Sequence, residues 1–580
     1  MFSEKLLREA EEMEKRWKRN TEQMAAEPSP MLQPLKPAKT LSGLDLKPAY
    51  SPLDIKDIKF EDIGMPGEYP YTRGNRPVHY QMEPLCNVAG YGFNSAEEAV
   101  ERRNYLNSIG QRFHVGREHD LPSHICVIDL PTQYGFDPDD PPAKGKVGDC
   151  GTSLSNLYDY ELLYDGLELD KTLVCASGCS SNVIALNSMF ATYVTEHRKL
   201  DVAKTIQIGI IMFHHGWGNR DHASYPPRTA TKLSVETIKW YSEHVPISFI
   251  MMDHGYDVAE AGSTPVIEIA FSLANVIEVM EACIKAGLNP NKVAPMISAH
   301  PQLNLNFLET IAKIRAWRRV WAKIMKERFG CTAPRALQHS FLAGQTAGSE
   351  LTSVEVRNNV VRTTVMALAG MLADVEGMWI ASFDEALCIP TEEAVHQSVR
   401  TGQILVEETD LPHVTDPFGG SYFMESLTSR IEEEVFKTLK RIDDLGGYMK
   451  AWESGWLRGQ VERGGNDRLR KIDTGERVKV GLNKYRTEDF SSYCPFPRPS
   501  EETEQRLIER VRRYRADRDQ EKTKRALSKV RDAAHRIEHD WPESCGELHE
   551  ACIEAAKARA SAGEMGRIFR EVFGFGYFSG

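Results

Sequence analysis

Apolar residues recur at helical spacing at the start of the chain (Leu6, Leu7, Ala10, Met13, Trp17) and give way to a proline-rich run from Pro28 to Pro52. The first pattern predicts an amphipathic helix over 3–24. The second forbids a regular element, because proline has no amide hydrogen to give. Residues 1–60 are therefore expected to form an arm that either wraps a partner or another domain, or stays solvated as a tail.

From about 85 to 400 short apolar, β-branched runs alternate with amphipathic stretches of helical length. The predicted strands are ICVIDL (125–130), TLVCAS (172–177), IQIGII (206–211), ISFIMMD (247–253), APMISAH (294–300), ALQHSF (336–341) and MWIASF (378–383). Continuous apolar runs separated by single helices indicate parallel strands covered on their outer face. Their number predicts an α/β fold of the (β/α)8 barrel class over 61–420, with functional groups at the C-terminal ends of the strands. Beyond 420 the period becomes helical, in SLTSRIEEEVFKTLKRIDDLGG, in one long run over 501–539 and again from ELHEA onward. Acid–base pairs at i, i+4 make these exposed helices, giving a helical region over 421–580.

Composition narrows the chemistry. The chain has 580 residues, 41% apolar and 27% charged, and no stretch reaches the roughly 20 apolar residues of a membrane span. A formal charge of −12 without a basic stripe disfavours nucleic acid. Eleven cysteines without CxxC pairs or zinc-like spacing predict reduced, mostly buried thiols. The acid-rich start fits neither a secretory signal nor a transit peptide, so a cytoplasmic protein is expected. No fixed-period repeat, GxSxG elbow, HExxH helix or phosphate loop occurs.

Four blocks carry a resemblance: GQTAG at 344–348, WIASFDEALCIP at 379–390, DPFGGSY at 416–422 and VGLNKYR at 480–486. YPYTRG (69–74), DLPTQYGFDPDDP (129–141), GYDVAEAG (255–262), RNNVVRT (357–363) and GEM (563–565) extend it. In this order they resemble the large subunit of the methylmalonyl-CoA mutase family of cobalamin-dependent acyl-CoA mutases. The resemblance implies a barrel threaded by the pantetheine arm of coenzyme A, with adenosylcobalamin over one end and a radical carbon-skeleton rearrangement inside. In that chemistry the cofactor carries the hard step and the protein supplies a dry, positioned cavity. The DxHxxG signature of the family's cobalamin module is absent from this sequence. The module is accordingly expected on a separate small subunit, in a dimer of large–small heterodimers.

On the same resemblance Gln207, Gln345 and Glu385 fall on positions that contact substrate or cofactor, Glu385 at the adenosyl ribose; read from the residues alone, each is also a polar cap at a strand end. Cys150 and Gly92 join Glu385 on the cofactor side. Arg220 matches the arginine that pairs with a substrate carboxylate, a natural role for a guanidinium fork, with a loop ion pair to Asp221 as the rival reading. Departures are as informative. EPLCNVAGYGF stands where the family has RPWTxRQYAGF, so Glu83, Cys86 and Val88 replace an arginine, a threonine and an arginine. Gly90 replaces a tyrosine that presses on the reacting carbon, which enlarges the pocket unless Tyr91 fills it. Asp257 stands where a histidine contacts the thioester oxygen; an ionised carboxylate would repel that oxygen, so Asp257 is protonated, acts through water or serves another purpose. Met296 loses a coenzyme A contact, Ser298 is kept, and His300 replaces a phenylalanine, either taking over the oxygen contact or sitting as a bonded core histidine.

A roomier site with Arg220 retained predicts a bulky substituted malonyl-CoA interconverted with a succinyl-CoA, for example benzylmalonyl-CoA and phenylsuccinyl-CoA. The alternatives are methylmalonyl-CoA, isobutyryl-CoA or 2-hydroxyisobutyryl-CoA as substrate, or a non-catalytic scaffold.

Overall fold

The computed structural model describes residues 2–26, 37–82, 85–87, 91–111, 113–114, 120–121, 123–211, 225–487 and 499–576. The protein is mostly helical around parallel sheets. Eight strands matter for the site: β1 (Cys86–Asn87), β2 (Ser123–His124), β3 (Leu173–Ser180), β4 (Ile206–Ile211), β5 (Ile247–Asp253), β6 (Ile297–Ala299), β7 (Ala343–Thr346) and β8 (Gly377–Trp379). One sheet runs β6-β5-β4-β3-β2; the other holds Gln302–Leu303, β7, β8 and β1 in that order, and every pairing in both is parallel. The isolated parallel bridges Ala299–Leu342 and Tyr91–Cys126 connect the two sheets at both ends.

Strands β4 and β5 occupy the ranges their apolar runs predict. Four expectations are corrected. The run 336–341 is no strand: Pro334 opens a helical turn, Pro334–Leu337, and the strand is Ala343–Thr346, inside the GQTAG block. Pairing over 125–130 is limited to bridges at Cys126 and Ile128, because Asp129 caps a helical turn, Leu130–Gln133, by accepting from the Thr132 amide at 2.9 Å. In 294–300, Ala294–Met296 is a 3-10 turn and only Ile297–Ala299 is extended. The run 501–539 is two helices, Glu501–Ala516 and Gln520–His539, with Asp519 capping the second. Two-residue β1 was not predicted at all, since so short a strand leaves no period to read.

The arm is also more ordered than its prolines predict. Helix Glu4–Ala26 is followed by a two-stranded hairpin, Ala38–Lys39 with Asp45–Leu46, and a 3-10 turn, Pro52–Ile55. It docks through Glu309, whose carboxylate accepts from the amides of Leu41 at 2.6 Å and Ser42 at 3.1 Å.

Around the sheets the helices are capped as their sequences dictate. Ser95 and Glu98 form a capping box at the start of Ala96–Ser108, and Thr264 with Pro265 starts Pro265–Lys285. Helix Phe307–Glu327 is buried along most of its length and carries charge into the core. Its Lys313 pairs with Glu268 at 2.7 Å, and Arg315 pairs with both Asp416 and Glu425. Arg318 donates to the carbonyls of Tyr71, Ala373 and Asp374. Each of these buried cations meets carboxylate or carbonyl oxygens, the condition under which burying a charge is tolerated.

Candidate active site

A cavity of about 600 Å³ opens at the C-terminal ends of the strands, lined among others by Tyr91, Gly92, Cys150, Gln345, Trp379 and Glu385. Five residues singled out from sequence, Tyr91, Gly92, Cys150, Gln345 and Glu385, therefore share one surface. In the wall of this cavity Gly92, at φ +148°, lies so close to the neighbouring backbone that an added Cβ would be 2.1 Å from the Val127 carbonyl oxygen. Cys150, at φ +57°, is exposed, and burial of its surroundings pushes its thiol upward. Tyr91 borders the cavity, yet its hydroxyl pairs with Arg103 of helix Ala96–Ser108, and burial drives that phenol well up. The ring is thus committed to the helix side of the chain.

Glu385 follows β8 and is the most perturbed carboxyl of the cavity, pushed up to about 8, first by burial and then by the carboxyls of Glu260 and Asp384. It makes no side-chain hydrogen bond among the described residues, and it flanks Gly348, where an added Cβ would lie 2.6 Å from Glu385 Oε1 and 3.6 Å from Glu260 Oε2. Glu260 itself is satisfied, accepting from Gln302 Nε2 at 2.7 Å and the Ser349 amide at 2.8 Å. A protonated Glu385 is a hydrogen-bond donor as well as an acceptor, suited to a hydroxyl-bearing ligand.

Gln345 joins this cavity to a second group. Its Oε1 lies 2.8 Å from Nε2 of His300, at the end of β6, and burial first, then the neighbouring His254, pushes His300 down to about 4. The His254 and His300 ring centroids are 5.0 Å apart. Asp257, one turn into helix Gly255–Glu260, places Oδ2 2.8 Å from Nδ1 of His254. Asp257 thus faces an imidazole.

Deeper in the strands Gln207 is buried and donates from Nε2 to Thr205 Oγ1 at 2.7 Å. It registers with Ser248 on β5; among the described residues neither the buried Oγ of Ser248 nor that of Ser298 on β6 has a hydrogen-bond partner. None of Gln207, Asp257, Ser298 and His300 lines the 600 Å³ cavity. Gly90 and Arg220 lie outside the described residues. Sequence reasoning missed His254, Ser248 and Glu260. A histidine closing ISFIMMDH and a serine interrupting the same apolar run are the signals that would have found the first two.

No set of three or more candidate metal ligands occurs among the described residues, and none of the described helices is long and apolar enough to cross a membrane. Residues 39–575 match the family described as "Methylmalonyl-CoA mutase". The chain is 32% identical over 540 residues to the "2-hydroxyisobutanoyl-CoA mutase large subunit" of Aquincola tertiaricarbonis, covering 92% of each. It is 32% identical over 539 residues to the "Probable methylmalonyl-CoA mutase, mitochondrial" of Caenorhabditis elegans, covering 92% of this chain and 69% of that protein. To the "Methylmalonyl-CoA mutase" of Rhizobium meliloti it is 30% identical over 538 residues, covering 92% and 72%. The chain belongs to the methylmalonyl-CoA mutase family of isomerases.

Proposed function

We propose that this chain is the large subunit of an adenosylcobalamin-dependent acyl-CoA mutase that acts on a bulky substituted malonyl-CoA and forms a succinyl-CoA. Benzylmalonyl-CoA and phenylsuccinyl-CoA are one pair of that kind. The observation that carries the reading is the shared cavity of Tyr91, Gly92, Cys150, Gln345 and Glu385 at the C-terminal ends of parallel strands. The two sheets are arcs of one (β/α)8 barrel in this reading, supported by the parallel bridges at both of their ends.

The residues fit the cofactor that the family uses. Glu385, without a hydrogen-bond partner among the described residues and held near neutrality, suits a ribose hydroxyl. When bound, adenosylcobalamin supplies the radical that removes and returns a substrate hydrogen. This chain's residues hold the acyl group, exclude water and fix the reacting carbon relative to Glu385 and Gln345. The cobalamin-binding module is a separate small subunit, supported by near end-to-end similarity to a protein named as a large subunit. A cytoplasmic dimer of large–small heterodimers, with the catalytic barrel over 61–420, completes the proposal.

Substrate size rests on Gly90, where the family carries a tyrosine, and on Tyr91, whose hydroxyl is engaged by Arg103. Arg220 supplies the carboxylate partner. A second reading, a 2-hydroxyacyl-CoA mutase, is favoured by the likeness to the 2-hydroxyisobutanoyl-CoA relative.

The chain, a cobalamin-binding small subunit and adenosylcobalamin are mixed with a panel of acyl-CoA thioesters, and isomers are followed by mass spectrometry. Turnover of benzylmalonyl-CoA above methylmalonyl-CoA is expected. Preference for 2-hydroxyisobutyryl-CoA selects the second reading, and no turnover of any thioester leaves the scaffold alternative.

A further inference from the structure

A second cavity, of about 420 Å³, shares no lining residue with the one at the strand ends. Helix Glu501–Ala516 forms one wall and places Arg506, Arg510 and Arg513 on one face, at i, i+4 and i+7. The start of helix Leu157–Tyr164 supplies Tyr158, 46% exposed. Arg559 enters from the turn, at φ +62°, between helices Glu547–Lys557 and Ala562–Phe573. Four guanidinium groups thus gather around one small space on a chain whose formal charge is −12.

One of the four is neutralised in place: Arg510 faces Asp159 at 3.1 Å and pairs with Glu97. Arg559 donates to the Asp517 carbonyl at 2.9 Å, and its guanidinium lies 4.5 Å over the Tyr514 ring. Among the described residues Arg506 reaches only Ser95 Oγ at 3.4 Å and Glu98 at 3.9 Å, and the Arg513 side chain has no ion pair or hydrogen bond. Such guanidinium forks suit an anion, and the rest of the lining says which kind. Tyr158 offers an exposed ring on which a base stacks. Glu509 and Asp517 offer carboxylates, which accept from ribose hydroxyls. A bare inorganic anion would leave the ring and both carboxylates unused, and an acidic peptide would be repelled by the carboxylates. A nucleoside phosphate uses all three kinds of group, and the volume lies within the roughly 300–1,000 Å³ of small-molecule sites.

We propose that this cavity binds a nucleoside phosphate, with the phosphate on Arg506 and Arg513, the base on Tyr158 and the ribose hydroxyls at the Glu509 and Asp517 carboxylates. Arg510 is a positioning residue: fixed by Asp159 and Glu97, it lies 5.5 Å over the Tyr158 ring. A free nucleotide and the nucleotide end of coenzyme A both carry this chemistry. The site stands or falls independently of the mutase reading.

The full chain is titrated with ADP by calorimetry and photolabelled with 8-azido-ADP, so that the modified peptide locates the site. Label within 156–158, within 506–517 or at Arg559 is expected. Arg506→Ala and Arg513→Ala each weaken ADP binding about 10-fold, the worth of a charge-assisted contact, and Tyr158→Leu weakens it by about as much through lost stacking. These side chains are exposed, so the variants fold. Arg512→Ala removes a cation from the same helix without touching the lining and leaves the affinity unchanged. Inorganic phosphate and adenosine, each lacking half of the ligand, compete far more weakly than ADP. Displacement of the label by coenzyme A assigns the occupant to the nucleotide end of coenzyme A, and label that coenzyme A does not displace assigns it to a free nucleotide. Label elsewhere on the chain overturns the proposal. So does an affinity in Arg506→Ala and Arg513→Ala equal to that in Arg512→Ala, or failure of both ADP and coenzyme A to occupy the cavity.

Discussion

His300 and Gln345 meet side chain to side chain, Nε2 to Oε1 at 2.8 Å, beside the Ala299–Leu342 bridge that joins the two parallel sheets. Burial, reinforced by His254, holds His300 down to about 4 against an ordinary 6.5. Between those values the unfolded chain binds a proton that the folded chain refuses. The contribution is therefore intact above about 6.5 and is lost as pH falls toward about 4, a difference of roughly 3 kcal/mol at about 1.4 kcal/mol per pKa unit. Imidazole NMR of the folded protein should show no His300 titration between pH 5 and 8. In Gln345→Glu a carboxylate beside Nε2 should bring that titration upward into the observable range.

Glu385 behaves in the opposite sense. Its folded value, about 8, lies above the ordinary 4.5, so the folded state keeps a proton that the unfolded state has lost, and stability declines as pH rises across that window. Glu385→Gln removes the ionisable group with little change of shape. Melting temperature as a function of pH should decline less steeply for the variant between 4.5 and 8, and above 8 the variant should be the more stable protein.

Three buried ion pairs set the cost of disturbing helix Phe307–Glu327. Lys313 and Glu268 are both essentially inaccessible at 2.7 Å, and Arg315 lies between Asp416 and Glu425 with equally little exposure. Lys313→Met or Arg315→Met strands a carboxylate in the interior. A loss of about 3–5 kcal/mol in denaturant unfolding is expected for each, against well under 1 kcal/mol for breaking the exposed pair Lys440–Asp444.

Much of what made the family legible in the sequence is structural rather than catalytic. Arg73 of YPYTRG pairs with Asp416 of DPFGGSY at 3.0 Å, and an added Cβ at Gly419 would come within 2.5 Å of Arg73 Nε. The Gly563 amide of GEM donates to Asp137 of DLPTQYGFDPDDP at 3.0 Å, and Arg362 of RNNVVRT donates to the Val480 carbonyl of VGLNKYR at 2.7 Å. Motifs far apart in sequence are thus each other's partners, and such close packing ties residue types to positions. That is why the blocks stood out.

Strands β4 and β5 were readable, because IQIGII and ISFIMMD are mostly apolar runs of strand length, the pattern of strands inside a parallel sheet. Strand β7 was displaced by several residues from its prediction, because AGQT contains polar and small residues that give no strand signal on their own. The cavity set of Gln345 and Glu385 was legible through the family blocks. The His254–Asp257 contact was not, because it is a relation across one helical turn after a strand end and only the folded backbone supplies it.

Gly92 offers the sharpest steric test of the cavity. It combines φ +148° with a Cβ direction that runs into backbone, 2.1 Å from the Val127 oxygen and 3.0 Å from its carbonyl carbon. Unlike a side chain, that carbonyl cannot rotate aside, since the Val127 amide donates to the Tyr91 carbonyl at 2.7 Å and the Val127 oxygen accepts from the Thr152 amide at 2.8 Å. Gly92→Ala must therefore push apart the Tyr91–Cys126 bridge that connects β1 to β2. A destabilisation of about 2–4 kcal/mol in denaturant unfolding is expected, together with loss of cavity binding out of proportion to it. Alkylation of the exposed Cys150 on the same cavity reports this, since acyl-CoA and cofactor should protect the thiol in the wild-type complex and fail to protect it in Gly92→Ala. Equal protection in a folded Gly92→Ala protein would show that the close approach of backbone at Gly92 does not shape the site.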